Sequence, residues 1–514
     1  MAKKRVLSVA FKAYQQHQGM LLPPSLDELI GKDHPVRTVN QVLDKVDIDP
    51  LVKKYKGGGS SSFHPRMLLK VLVYAYINNT YSSRKIEAAL KENIHYMWLS
   101  GMSTPDHNTI NRFRGERLKE VLEKIFTGVV LLLCEEGLLS LKELYTDGTK
   151  IEASANRYTF VWGKAIKTNR EKIQKQLSEL WQYAQSVAAS EMDDTDPSGF
   201  DKIDADKVEQ TIEKINEALK DKKVSKTIKQ KLNYAKKSFS SKLKKYEEQE
   251  KIIGKGRTSY CKTDPPATFM RLKEDHMKNG QLKPAYNVQL STNNQFITTY
   301  SLHQLSTDTN TLISHLQHHE KLFNQKPQAV CTDAGYGSEE NYQWLEDNEI
   351  TGFVKHNQFD TNRSKTIRNK NPFSADKLFY NKEQDSYYCP MGQQMKCVGT
   401  RNKKTSTGYE QLIHVYRATR CEGCPLKGVC HRGKGNRTIE VNHNLNRLKQ
   451  NAEQLLLSEQ GIKKRKQRCC DVEPVFGNIK QNHGFRRFML RGTQKVTIET
   501  GLLALAHNLR KKAA

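Results

Sequence analysis

Leu144-Tyr145-Thr146-Asp147-Gly148-Thr149-Lys150 decides how the rest of this chain is read. The apolar, aromatic and β-branched residues predict a short strand, ending in a lone carboxylate with glycine directly after it. An Asp-Gly pair in that place has two readings, a tight turn or an acid displayed at a strand end for chemistry. Taken alone, the turn is the commoner use. The pattern recurs at Gln328-Ala329-Val330-Cys331-Thr332-Asp333-Ala334-Gly335, again a strand that runs into an aspartate and then small residues. A third acid, Glu473, stands in Asp471-Val472-Glu473-Pro474-Val475-Phe476-Gly477-Asn478-Ile479-Lys480. There a helical reading puts Glu473, Phe476 and Lys480 on one face.

Charge supplies the context for these acids. The 514 residues carry 84 Lys and Arg against 56 Asp and Glu, a net +28, which suits a polyanionic partner such as nucleic acid. The excess is focused at the C-terminal end, where residues 461–514 hold 13 Lys/Arg and only Asp471, Glu473 and Glu499 as acids. No apolar run reaches the roughly 18–20 residues of a membrane span, and no signal-peptide core follows the basic start. The expected location is the cytoplasm.

Outward from the central stretch, residues 1–140 are predicted helical. Helical patterns surround Leu26-Leu29-Ile30 and Val39-Val42-Leu43-Val46. A Gly57-to-Ser62 break follows, then short helices at Met67–Ile77, Ser83–Leu90, Ile94–Leu99 and His107–Arg117. Short helices with polar turns suit a helix-turn-helix, with Ser82 or Ser83 as a cap. Asn108, Asn111, Arg112 and Arg114 would offer amide and guanidinium groups to bases and phosphates; the alternative is a helical bundle with a solvated basic face. Residues 141–162 and 255–358 alternate strands and helices, which predicts a mixed α/β sheet. In it Ala285–Ser291 and Gln295–Tyr300 are joined by a Thr292-Asn293-Asn294 turn. Residues 163–254 are expected to form a Lys/Glu-rich helical hairpin or small coiled coil, broken at Asp193–Gly199, as a solvated arm, a spacer, a dimer contact or a DNA clamp. Residues 441–514 are helical, with Leu445–Arg468 as one helix and Thr497–Leu509 as another, and they carry Glu473.

Between them, residues 359–440 hold five of the ten cysteines: Cys389, Cys397, Cys421, Cys424 and Cys430. One Cys-x-x-Cys knuckle with a long 389–397 gap leaves two readings, a tetrahedral zinc site or free structural thiols.

Two aspartates at strand ends and a glutamate in the most basic segment form a set of hard oxygen donors. Mg²⁺ or Mn²⁺ bound by such a set, with two ions about 3.5–4 Å apart, is the common arrangement for phosphoryl transfer on DNA. Singly, each acid has a structural alternative: Asp333 as a helix cap, Glu473 as an ion-pair partner of Lys480 or Arg468.

Tyr145 to Ala153, Asp333-Ala334-Gly335-Tyr336-Gly337 and Val472 to Lys480 resemble the three catalytic blocks of the DDE transposases of bacterial insertion sequences, in particular the insertion sequence 1182 group. His34 to about Leu118 resembles the N-terminal DNA-binding domain of that group, and Phe269–Lys273 with Tyr286–Gln289 its central strands. The resemblance implies an RNase-H-like core with Asp147, Asp333 and Glu473 as catalytic Mg²⁺ ligands. It further implies cleavage at element ends by water, and joining of the released 3′-hydroxyl to target DNA by a protein that oligomerises on DNA. Lys480 matches a lysine expected near the scissile phosphate. The signature's arginine, four places before the glutamate, is replaced here by Cys469, leaving Arg468 or Arg465 for that role. Arg486, Arg487 and Arg491 are expected at phosphates. The competing functions are a non-catalytic DNA-binding regulator or decayed transposase, and a structure-specific nuclease on the same core.

Overall fold

The computed structural model describes residues 24–55, 62–188, 205–254, 256–272, 280–363 and 373–514. Of the predicted breaks, Asp193–Gly199 and all of Gly57–Ser62 except Ser62 lie outside the described residues.

The N-terminal part is helical: α1 (Pro35–Lys45), α2 (Asp49–Val52), α3 (Pro65–Ile77), α4 (Ser83–Glu92), α5 (Ile94–Ser100), α6 (His107–Arg112) and α7 (Leu122–Glu135). Proline at the first helical position of α1 and α3 costs no hydrogen bond there, and His34 and His64 cap the exposed amides through their side chains. The sequence at Leu26–Ile30 forms turns rather than helix. Ser82 does precede α4 but makes no capping bond, whereas Asp106 caps α6 through the Thr109 amide at 2.8 Å. α3 is buried nearly all round, which its mostly apolar sequence requires.

The central sheet is built from β1 (Glu143–Glu152), β4 (Thr268–Arg271), β5 (Leu282–Asn293), β6 (Phe296–His303), β7 (Ala329–Thr332) and β8 (Thr351–Val354). The short pair β2 (Phe160–Trp162) and β3 (Ser259–Cys261) stands apart. β6 and β4 both pair with β5; β5 pairs antiparallel with β1, and β1, β7 and β8 then run parallel. Three antiparallel pairings and two parallel ones give the mixed sheet of an RNase-H-like fold. The β5–β6 turn falls one residue later than the sequence suggests: Asn294 and Gln295 occupy its centre, at φ 50° and 62°, the left-handed pair that a tight hairpin needs.

The sheet has two unlike faces. Leu144 and Val330 pack with Leu312 and Leu316 of α11 (Leu312–Phe323) and Leu345 of α12 (Glu339–Asp347). Tyr145 and Cys331, one residue on and therefore on the other face, pack with Leu456 and Val472. These come from α14 (His443–Leu457) and α15 (Glu459–Gly477), two helices where one was predicted. The break is at Ser458, whose hydroxyl caps α15 by accepting from the Gly461 amide at 3.0 Å. The last helix, α16 (Thr493–Ala513), is buried along most of its length between the sheet and the N-terminal helices.

Among the described residues the helical arm has three helices, where a hairpin of two was expected: α8 (Gly163–Val187), α9 (Ala205–Ala218) and α10 (Lys226–Ile253). They close on a core of their own, with Leu177 and Trp181 against Ile212, Ile215, Phe239 and Leu243. The cysteine-bearing segment after the short α13 (Phe359–Arg363) is a five-stranded antiparallel sheet: β9 (Phe379–Asn381), β10 (Ser386–Tyr388), β11 (Gln394–Lys404), β12 (Glu410–Ala418) and β13 (Thr438–Val441). No described helix is long and apolar enough to cross a membrane.

Candidate active site

Asp147 is neither a turn residue nor at a strand end. It lies inside β1, opposite Leu290 of β5, and the strand continues to Glu152. What ends near it is the pairing on its other edge. β1 is in parallel register with β7 through Tyr145–Cys331, and β7 stops at Thr332. Two residues beyond that last pair come Asp147, within β1, and Asp333, just past the end of β7, so the two aspartates follow the same parallel pairing of adjacent strands, whose usual spacing is about 4.8 Å. Both share the alternation of Tyr145 and Cys331, which face α15. Asp333 also caps the short turn that follows, its carboxylate accepting from the Gly335 amide at 2.8 Å. The structural use and the proximity to Asp147 therefore coexist.

The third acid arrives on α15, which crosses β1, β5 and β7. Asp471 pins the helix: fully buried, it accepts from the Thr292 hydroxyl at 2.6 Å and the Gln295 amide at 3.0 Å in the β5–β6 turn. Glu473, two residues on, is half exposed, and one side chain joins it to the sheet. Arg468 reaches Asp147 Oδ2 at 3.4 Å with Nη1 and Glu473 Oε1 at 3.1 Å with Nη2. Burial disfavours the charge on Arg468, yet the carboxylates of Asp147, Asp333 and Glu473 outweigh it and raise the guanidinium pKa above its ordinary value. Two of the acids are thus paired to Arg468, and the charge of the third, Asp333, also acts on it. Of the two arginines open to that place, Arg465 is engaged elsewhere, over the Phe359 ring at 5.2 Å and donating to the Leu456 carbonyl at 3.1 Å.

Beneath the acids lies a polar layer absent from the sequence reading. Tyr336 is fully buried and donates to Gln289 Oε1; burial first, then the charges of Asp147, Asp308 and Asp333, push its phenol pKa well up. Gln289 Nε2 donates to Asp308 Oδ1 at 2.9 Å, and Asn287 Nδ2 does so at 2.7 Å. This layer explains Gly148, which faces Gln289 across the strands. A Cβ there would stand 2.3 Å from Gln289 Nε2 and 2.6 Å from Asp308 Oδ1. Glycine thus makes room for protein side chains and not, as its place beside Asp147 suggests, for substrate. The sequence signal was present in Asn287, Gln289 and Ser291, polar residues alternating along β5, but such alternation ordinarily marks a solvated face. Here it is buried.

Several residues expected at DNA are used within the protein. Lys480 falls in a π-helical turn, Asn478–Asn482, that ends the regular spacing from Glu473; it is 6% exposed and donates to the Lys150 carbonyl at 3.0 Å. Acid and base are therefore not presented together on one outer face. Arg114, 3% exposed, donates to the Tyr81 carbonyl at 2.7 Å and to Asn111 Oδ1 at 3.0 Å, which removes it from the expected DNA-facing set. Asn108, Asn111 and Arg112 are exposed on α6. Arg486 and Arg487 are exposed but tethered, Arg486 to Gln481 at 2.6 Å and Arg487 to the Ala153 and Ala155 carbonyls at 3.2 and 3.1 Å.

Among the described residues no three His, Cys, Asp or Glu side chains are arranged to hold a metal. At the acids, the Arg468 guanidinium stands between Asp147 and Glu473, and the donor set itself, carboxylate oxygens alone, suits Mg²⁺ or Mn²⁺. At the cysteines the geometry does not fit zinc. All five are free thiols. Cys389, Cys397 and Cys421 pack against the apolar core of the β9–β13 sheet, and Arg437 takes up two sulfurs, donating to Cys430 Sγ at 2.8 Å and through its amide to Cys421 Sγ at 3.3 Å.

Two family models match parts of the chain: the transposase DDE domain over residues 388–513, and the transposase domain DUF772 over 24–116. No curated protein matches it. The first match takes in Arg468 and Glu473 and the second takes in α1 to α6, while Asp147 and Asp333 lie in neither. A transposase domain is thus matched towards each end of the chain.

Proposed function

We propose that this protein is a transposase of the insertion sequence 1182 group, cutting DNA at the ends of its element and joining the released 3′-hydroxyl to target DNA, with Asp147, Asp333 and Glu473 as its catalytic acids. The observation that carries this reading is the convergence of three distant acids: two by parallel strand register and the third by a helix whose Arg468 pairs with both strand and helix acids. Mg²⁺ or Mn²⁺ held by these carboxylates would supply Lewis acidity and a polarised oxygen at the scissile phosphate. The chain's own part is to hold the acids. Asp471 fixes α15 on the β5–β6 turn, and Tyr336, Gln289 and Asp308 support the strand edge from below. With strands and a pinned helix as scaffold, carboxylate positions are fixed before substrate arrives, which lowers the reorganisation needed in the reaction.

In this reading residues 1–140 bind DNA, presenting Asn108, Asn111 and Arg112. Residues 141–162, 255–358 and 441–514 form the catalytic core, while 163–254 and 359–440 are inserted into it. The protein acts as an oligomer on paired element ends. Arg486, Arg487 and Arg491 remain near enough to solvent to meet phosphate while their guanidinium edges hold the backbone.

The test is cleavage and joining of a duplex carrying the inverted repeats that flank the gene, in Mg²⁺. Joined donor and target strands are expected; cutting without joining would make the protein a nuclease, and DNA binding with no metal-dependent cutting would make it a regulator or a decayed copy.

A further inference from the structure

We infer that Arg468 is a resident counter-ion of the acid site, which a divalent cation must displace in order to bind. This rests on the reading of Asp147, Asp333 and Glu473 as metal ligands, and concerns how the protein holds them before metal arrives.

Two carboxylates on neighbouring strands and a third on the helix packed over them repel one another, and the repulsion is least screened where water is scarce. The site is partly dry: the side chains of Asp147 and Arg468 are 15% and 13% exposed. Arg468 answers the repulsion with its planar fork, one amino group on Asp147 and the other on Glu473. Because Asp147 belongs to β1 and Glu473 to α15, the same group also ties helix to sheet.

The choice of arginine matters. A lysine or histidine could lose its proton as a metal approached, but a guanidinium keeps its charge at any ordinary pH. The three carboxylates raise its pKa further. A doubly charged cation entering the same oxygens therefore meets an undiminished positive charge and competes with it for the same lone pairs. The cation wins only if the guanidinium swings off Asp147 and Glu473. Metal affinity in the absence of DNA is thereby held down, and the exchange frees a five-donor cation beside the carboxylates.

The experiment is Mn²⁺ titration of the full-length protein without DNA, followed by the electron paramagnetic resonance signal of free Mn²⁺. Wild type is compared with Arg468→Ala, Arg468→Gln, Arg468→Lys and Asp147→Asn, and thermal unfolding is measured with and without Mn²⁺. Removing the charge in Arg468→Ala or Arg468→Gln should tighten Mn²⁺ binding about tenfold. Arg468→Lys, which keeps the charge, should stay within about twofold of wild type. The neutral variants should also unfold at a lower temperature than wild type in chelator and regain the difference in Mn²⁺. Two neutral variants guard against a folding failure in one. Mn²⁺ binding that depends on Asp147 but is unchanged or weakened in both neutral variants overturns the inference alone; binding indifferent to Asp147→Asn overturns it together with the proposed acid site.

Discussion

The acid edge of the central sheet and the cysteine-bearing β9–β13 sheet make an instructive pair. Both collect side chains of the kind that bind metals, and each sets an arginine among them, Arg468 among carboxylates and Arg437 between two thiols. At the acid edge the ligand-bearing positions are imposed by backbone: parallel register sets Asp147 against Asp333, and the buried Asp471 fixes the helix that carries Glu473. In the smaller sheet Cys389, Cys421, Cys424 and Cys430 lie outside the strands, and Cys397 sits within β11 at a register irregularity between it and Gly399. Nearness in sequence, as in Cys421–Cys424, brought no convergence, whereas acids far apart in sequence meet because a sheet and a crossing helix bring them together. Rigid elements place ligands more reliably than a short motif does.

The comparison breaks most sharply under substitution of the ligands. Asp147→Asn, Asp333→Asn and Glu473→Gln should each lower Mg²⁺-dependent DNA cleavage by at least about 10³-fold, roughly 4 kcal/mol of barrier, with DNA binding in a gel-shift assay kept. Cys421→Ser with Cys430→Ser should leave cleavage within about threefold of wild type, and elemental analysis of the purified protein should find no stoichiometric zinc. A large loss of cleavage in the serine variant would put the two regions on the same footing.

Next in size is an effect on stability. Gly148→Ala forces a methyl group against Gln289 and Asp308. It should destabilise the protein by about 1–3 kcal/mol, seen as an earlier urea midpoint, and reduce cleavage by tilting the neighbouring Asp147. A variant as stable as wild type would show that the polar layer under the acids yields easily.

A comparable effect concerns a different acid in the same basic tail. Glu499 is buried in α16, where desolvation raises its pKa to about 7 despite donors from the Met489 and Leu490 amides and the nearby Arg114. The folded protein thus holds a proton that the unfolded chain, with a pKa near 4.5, gives up. The contribution is fully present below about pH 4.5 and is lost as pH rises through 7, by up to about 3 kcal/mol. Chemical denaturation across pH 5 to 8 should show the loss in wild type and a flatter profile in Glu499→Gln. Smallest of all, Arg112→Ala should weaken DNA binding modestly and lower the slope of log affinity against log salt by about 1, while the buried Arg114 should act through stability.

Much of this was legible in the residues. Apolar periodicity located nearly every helix and the strands β1, β5, β6, β7 and β8, because one-sided burial leaves its period in the sequence. The acids were legible as types at recognisable places. Their meeting was not, since register between strands distant in sequence leaves no local trace. Ser458 hid for a related reason: residues 445–468 keep helical spacing throughout, and the break is a single cap within it. Lys480 was misplaced because a π-helical turn adds a residue to the spacing without any change in composition. The buried Asn287 and Gln289 gave no distinct signal, since polar alternation ordinarily belongs to a solvated face, and only the packing of Tyr336 and Asp308 against them reveals the layer.

The most direct measurement is cleavage of a duplex carrying the flanking inverted repeat by wild type and by Asp333→Asn, in Mg²⁺, at a protein concentration where both are bound to the DNA. The acid whose place depends wholly on the β1–β7 register is the one being removed. Cutting by wild type and none by the fully bound variant is the expected result; equal cutting by both would mean that Asp147, Asp333 and Glu473 are not a catalytic set.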